Sequence, residues 1–105
     1  VKTGGSYVNI PVSNIVYAEN TARKITLYVK DMVQPCYTFY EKMENLEKSL
    51  GEGFFRSHRG FLVNLAEVSG YDHTGITMKN GAVVYLAKAK YHDFVAAYMN
   101  YLRRE

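Results

Sequence analysis

This sequence is short of nearly every residue pattern that carries chemistry. It has one cysteine, Cys36, two prolines and no tryptophan. A lone thiol cannot close an internal disulfide, and its ordinary place is that of a small buried hydrophobe in a reducing compartment. No apolar run nears the roughly 20 residues needed to cross a bilayer. The opening residues, Val1-Lys2-Thr3-Gly4-Gly5, lack the apolar core of a secretion signal. A cytoplasmic protein without membrane contact is therefore expected. His58, His73 and His92 stand far apart, and no cysteine pair accompanies them, so no metal site is predicted. The glycines form neither a phosphate-cradling loop nor a dinucleotide fingerprint, and no cofactor is expected. A Cys36–His nucleophilic pair would have to meet in space, and nothing local supports one. No catalytic residue is assigned, and the chain is not read as an enzyme.

What is present fits one domain. At 105 residues the chain leaves no room for a second domain. Because it begins at Val1 rather than Met, it is expected to be cut from a longer protein, with residues 1–5 as a flexible lead. Ten tyrosines, five phenylalanines and many Val, Ile and Thr residues favour pleated, half-buried surfaces, hence strands.

The periodicity places the elements. Residues 6–10 alternate and stop at Pro11; residues 15–19, 25–29 and 32–37 read as further strands, the last an edge or bulged one because of Pro35. Phe39, Met43, Leu46 and Leu50 then fall at helical spacing. Thr38-x-x-Glu41 reads as its capping box and Gly51 as its stop. Residues 54–58 are extended, Arg59-Gly60 breaks them, Phe61-Leu62-Val63 returns to the core, and residues 66–71 form a strand. Asn80-Gly81 between residues 76–79 and 82–86 predicts a hairpin with a type I′ turn. After Lys88 a helix follows, with Tyr91, Phe94, Val95, Tyr98 and Leu102 on one face. Strands, helix, strands, helix predicts an α+β fold, mostly β, of packed antiparallel sheets with short helices.

Charge is segregated. Residues 38–52 hold four glutamates against two lysines, net −2, which leaves +5 for the rest of a chain whose total is +3. The positive side chains cluster as Arg23-Lys24, Arg56 and Arg59, Lys88 and Lys90, and Arg103-Arg104. Arg103 and Arg104 suit the C-terminal end of the last helix. Placing Arg59 beside a charged histidine is repulsive unless an anion shares the site. Next to Gly60, a turn projects the Arg59 guanidinium outward, and its planar fork suits phosphate or a guanine edge. Arg56 alternates with His58 and is read as sharing its face, in a structural or phosphate-binding role. Asn64 is read as the cap of the turn that follows it rather than as a ligand contact.

The run Phe54-Phe55-Arg56-Ser57-His58-Arg59-Gly60-Phe61-Leu62-Val63-Asn64-Leu65 resembles the signature of the LytTR family of DNA-binding domains, of the type F-x-R-x-H-R-S-x-L-V-N. Ile15-Val16-Tyr17-Ala18-Glu19 is similar to the family's early strand. Met78-Lys79-Asn80-Gly81 and Leu86-Ala87-Lys88-Ala89-Lys90-Tyr91 are similar to its closing segments. The likeness spans residues 6–100. It implies a mostly β domain fused behind a receiver domain in bacterial two-component response regulators. Such a domain enters successive major grooves of promoter DNA with its loops and pairs as two copies on direct repeats in double-stranded DNA. The DNA-contacting positions it implies are Asn20, Arg23, Lys24, His58, Arg59, Lys88 and Lys90, and Arg23 and Lys24 compete for one base contact. Gly60 and Ala87 depart from the family, which usually has serine at both places. The three stretches that hold the implied contacts, residues 20–24, 58–59 and 88–90, coincide with three of the positive clusters.

An RNA-binding or protein-interaction module is the alternative. An RNA-recognition sheet displays aromatics within basic strands; Phe54-Phe55-Arg56 offers one such strand and the sequence has no second.

Overall fold

The computed structural model describes residues 1–3 and 5–104. The chain opens with two short paired strands, β1 (Lys2–Thr3) and β2 (Ser6–Tyr7). Lys2–Thr3 thus lies in a hairpin, within the stretch expected to be a loose lead; Gly4 lies outside the described residues. Five strands then make the central antiparallel sheet: β3 (Ile15–Thr21), β4 (Lys24–Val29), β5 (Cys36–Tyr40), β6 (Phe54–His58) and β7 (Phe61–Asn64), in the order β5-β4-β3-β7-β6. A three-stranded sheet follows, β8 (Val68–Tyr71), β9 (Gly75–Met78) and β10 (Val83–Tyr85), in the order β10-β9-β8. Helices α1 (Met43–Leu50) and α2 (Tyr91–Arg104) complete the domain, which is α+β and mostly β as expected.

The central sheet is buried on both faces, because neighbouring residues of one strand feed different cores. Ile15, Leu62 and Phe54 join Met43 and Leu46 of α1 in a first core. Val16 and Val63, their immediate neighbours, join Ile76, Met78, Val84 and Phe94 in a second. This explains why Ile15-Val16 and Leu62-Val63 are apolar pairs where a half-exposed strand would alternate. The layers are therefore α1, the central sheet, and the small sheet with α2.

Some local readings give way to tertiary packing. Thr38 is no helix cap: β5 continues to Tyr40, Thr38 Oγ1 meets Thr26 Oγ1 at 3.0 Å across the strands, and α1 starts after Lys42, which makes no side-chain cap. Phe39 belongs to this strand, where it alternates with Tyr37 into the first core. The fourth strand starts at Cys36 rather than residue 32, and β2 ends at Tyr7, short of Pro11. Residues 65–67 form a 3₁₀ turn, so β8 begins at Val68. The hairpin at Asn80-Gly81 is present, but only Gly81 has positive φ (92°). Lys79, Asn80 and Gly81 form a three-residue loop in which the Gly81 amide donates to the Met78 carbonyl at 2.9 Å and the Met78 amide donates to the Ala82 carbonyl at 2.8 Å. That is the glycine-bulge hairpin, not a type I′ turn. On α2, Phe94 is fully buried, while Leu102 lies exposed near the helix end.

Candidate nucleic-acid interface

The first basic cluster sits on the β3–β4 hairpin. Thr21 pairs with Lys24, leaving Ala22 and Arg23 as the two turn residues. Ala22 takes φ 58°, the left-handed region that a residue with a Cβ seldom enters. The Asn20 side chain lies against the carbonyl oxygens of Lys24 and Ala22, at 3.1 and 3.2 Å, so its amide nitrogen belongs there as donor to both. Asn20 thereby holds the turn that carries Arg23. Lys24 behaves differently: its Nζ lies over the ring of its cross-strand neighbour Tyr40, 5.4 Å from the centroid.

The second cluster sits on the β6–β7 turn. His58 pairs with Phe61, so Arg59 and Gly60 form the bend. Between Phe55 and His58 the ladder slips by one residue, a bulge on β6. The extra residue separates side chains that simple alternation puts on one face. Arg56 reaches α1, its Nη1 3.6 Å from both Glu44 and Glu47, whereas the His58 ring sits edge-on to Tyr85 of β10 at 5.1 Å. The shared face expected for Arg56 and His58 is thus undone by the bulge.

The Arg59–Gly60 peptide is held at every polar atom. Arg56 Nη2 donates to the Arg59 carbonyl at 2.6 Å, and the Gly60 amide donates to His58 Nδ1 at 3.1 Å. The Gly60 carbonyl accepts from the Asn20 amide at 2.8 Å. Because His58 Nδ1 accepts, its ring proton is assigned to Nε2. His58 therefore acts here as a bracket for the turn.

The third cluster follows β10. The Ala87 amide donates to the Ser57 carbonyl at 2.9 Å, and the fully buried Ser57 hydroxyl donates to the Tyr85 carbonyl at 2.8 Å. These bonds tie the segment to β6. Lys88 and Lys90 occupy the 3₁₀ turn that leads into α2. The amides of Ala87 and Lys90 are already bonded within the protein.

Three chain segments remote in sequence therefore adjoin: Asn20 to Gly60, and Ser57 to Ala87. A shallow hollow of about 540 Å³ between the first two turns is lined by Asn20, Ala22, Glu44, Arg56, His58 and Arg59. Among the described residues no carboxylate pairs with Arg23, Arg59, Lys88 or Lys90, while Lys30 and Arg104 each have one and Arg56 has two. Cations without a carboxylate partner on adjoining segments suit an external anion. Ser57 and Tyr85 were not among the sequence candidates. The available signal was a small serine set between Arg56 and His58 of a strand.

Among the described residues no three metal-ligating side chains gather, and no helix is long and apolar enough to cross a membrane.

The family model for the LytTr DNA-binding domain matches residues 5–99. The chain belongs to the LytTR family of DNA-binding domains. Its fold matches a solved LytTr DNA-binding domain from Bacillus cereus, of a protein described as a methyl-accepting/DNA response regulator, with a TM-score of 0.76 and 22% identity over 91% of each chain. Comparison with curated protein sequences gives no match. The LytTR family is one of DNA-binding domains rather than of enzymes, in keeping with a site built of cations and hydrogen-bonded turns.

Proposed function

We propose that this LytTR domain binds promoter DNA sequence-specifically, as the output domain of a bacterial two-component response regulator. The observation that carries this reading is that three basic segments are bonded to one another, Asn20 to Gly60 and Ser57 to Ala87, with Arg23, Arg59, Lys88 and Lys90 free of carboxylates among the described residues. In this reading its loops enter the major groove.

Arg59 is the base reader, most simply of guanine, through a bidentate contact giving about 1–3 kcal/mol of discrimination. Arg23, at the turn tip, makes the second base contact. Lys24, drawn over Tyr40, serves a phosphate. Lys88 and Lys90 serve phosphates on the other flank. His58 and Asn20 hold the turns rather than reading sequence. Two copies pair on direct repeats, assisted by DNA, and a receiver domain precedes this one in the full protein. No observation favours an RNA-binding sheet: Phe54 lies in the first core and Phe55 packs edge-on to Phe94, so neither ring is displayed for base stacking.

The test is duplex selection from a random pool, followed by titration of the selected site and a scrambled duplex over a salt series. Affinity should fall steeply with salt while the preference for the selected site persists. Arg59→Ala should erase that preference and leave the melting temperature unchanged. Equal binding by wild type and variant across unrelated duplexes would overturn the assignment, and indifference to duplex DNA would point to a protein-interaction module.

A further inference from the structure

We infer that Arg56 is a positioning residue for sequence reading, transmitting the placement of helix α1 to Arg59. The inference rests on the reading of Arg59 given above. Arg56 is charged yet turned inward, with a side chain only 19% exposed. Each end of its guanidinium has a separate task. Nη2 donates to the Arg59 carbonyl at 2.6 Å, and Nη1 stands 3.6 Å from the carboxylates of Glu44 and Glu47. The buried Nε has no partner among the described residues. A side chain kept for solubility alone would not bury an unpartnered donor.

Glu44 and Glu47 lie one helical turn apart on the same face of α1, so together they flank one guanidinium. Both are substantially exposed, at 66% and 43%, so their attraction is screened by solvent. Their service is geometric: they fix where the fork sits, and the fork fixes the Arg59 carbonyl. With Gly60 held by His58 and Asn20, the last freedom of that peptide is removed by Arg56. The direction of the Arg59 Cα–Cβ bond is then set before DNA arrives, which lowers the ordering cost of a bidentate contact. Lysine cannot replace it, since one ammonium point does not span both partners. The bulge at residues 55–58 serves the same end, because it sends Arg56 to α1 and His58 to Tyr85.

The test is a double-mutant cycle of Arg56→Gln with Arg59→Ala, read as the ratio of affinities for the selected and scrambled duplexes across salt. Arg56→Gln should lower that ratio at least tenfold, with the salt slope and scrambled-duplex affinity unchanged. In the Arg59→Ala background it should lower the ratio no further. Arg56→Lys should fail to restore the ratio. The milder pair Glu44→Gln with Glu47→Gln should shift it the same way by a smaller factor, and serves if Arg56→Gln does not fold. A salt slope reduced by about one would instead make Arg56 a direct phosphate contact and overturn the inference. An undiminished ratio would also overturn it. Should the wild-type domain prefer no site, the reading of Arg59 fails rather than the clamp. The Gly60 amide resonance of the free domain then decides: faster hydrogen exchange in Arg56→Gln supports the clamp, and an unmoved resonance refutes it.

Discussion

The Asn64 side chain ties the end of β7 to the start of β3: its Nδ2 donates to the Ile15 carbonyl at 2.8 Å, and its Oδ1 accepts from the Ala66 amide at 3.0 Å. Asn64 is buried, so Asn64→Ala takes from the Ile15 carbonyl and the Ala66 amide the partner that Asn64 gives each. Orphaned groups of this kind cost about 1–3 kcal/mol each, and a lost cap falls within that range. The variant should lose about 2–4 kcal/mol of stability, a fall of roughly 10–25 °C in calorimetric melting temperature. Asn64→Asp keeps the acceptor for Ala66 but sets a carboxylate against the Ile15 carbonyl, and should fare no better. A melting temperature equal to wild type would show that the two bonds have no net effect.

Ala22 is the opposite case, a residue whose replacement should help. Its φ of 58° places Cβ where it crowds the following carbonyl, at about 1–2 kcal/mol. Glycine relieves the crowding but loses more chain entropy on folding. The net gain for Ala22→Gly should reach up to about 1 kcal/mol, read as a higher urea midpoint with an unchanged slope. If the turn is strained for the sake of aiming Arg23, the same variant should also weaken binding of the selected duplex. A lower midpoint would mean that the left-handed alanine is not under strain.

Tyr17 stacks on Tyr28 with ring centroids 4.5 Å apart. Burial, and then the neighbouring Tyr28, Glu19 and Cys36, push its phenol up to about 12 from the ordinary 10.0. Between those values the unfolded chain releases the proton while the folded chain keeps it. The stabilisation is therefore complete below pH 10 and is lost as the pH climbs through about 12. Tyr17→Phe removes this titration, so over that window its urea midpoint should fall less steeply than that of wild type. Parallel curves for the two proteins would contradict the assigned shift.

How much of this was legible in the sequence depends on the distance over which a residue acts. Arg59, Lys88 and the Arg23-Lys24 pair stand out because charge is local, and Asn64 as a cap needs only its own next two residues. Thr38-x-x-Glu41 misleads because the same residues satisfy two rules. Phe39 fits both the helical spacing before Met43 and the strand alternation after Tyr37, and pairing with β4 decides for the strand. Gly81 marks its hairpin correctly, yet the loop type depends on where the flanking strands stop pairing. Bonds such as Asn20 to Gly60 and Ala87 to Ser57 leave no mark on the sequence, because backbone groups are the same at every position. The partner of Arg56 was hidden for a related reason: a one-residue bulge reverses the sidedness that alternation predicts.

Gly60 invites a gain. A Cβ there would meet His58 Nδ1 at 3.5 Å and the Asn20 carbonyl at 3.6 Å, both ordinary contacts. Serine, which the family usually has at this position, should therefore fit without disturbing the turn. Gly60→Ser should melt with wild type and bind every duplex more tightly by about 0.5–1.5 kcal/mol, roughly 2- to 10-fold, through an added hydroxyl–phosphate bond. Because the bond reads no base, the preference for the selected site should not change. Tighter binding of the selected site alone would assign the hydroxyl to a base edge instead.

The pairing of Ile15 with Val16, and of Leu62 with Val63, makes the sheet between the layers a shared wall. Peeling away α2 and the small sheet would expose one side of that wall to water, and stripping α1 the other, so neither half is a refuge for partly unfolded chain. The amides of β3 and β7 should exchange last of all. The turns they carry then ride on the most slowly opening part of the molecule, so the loops proposed to meet DNA have roots that are the last to loosen.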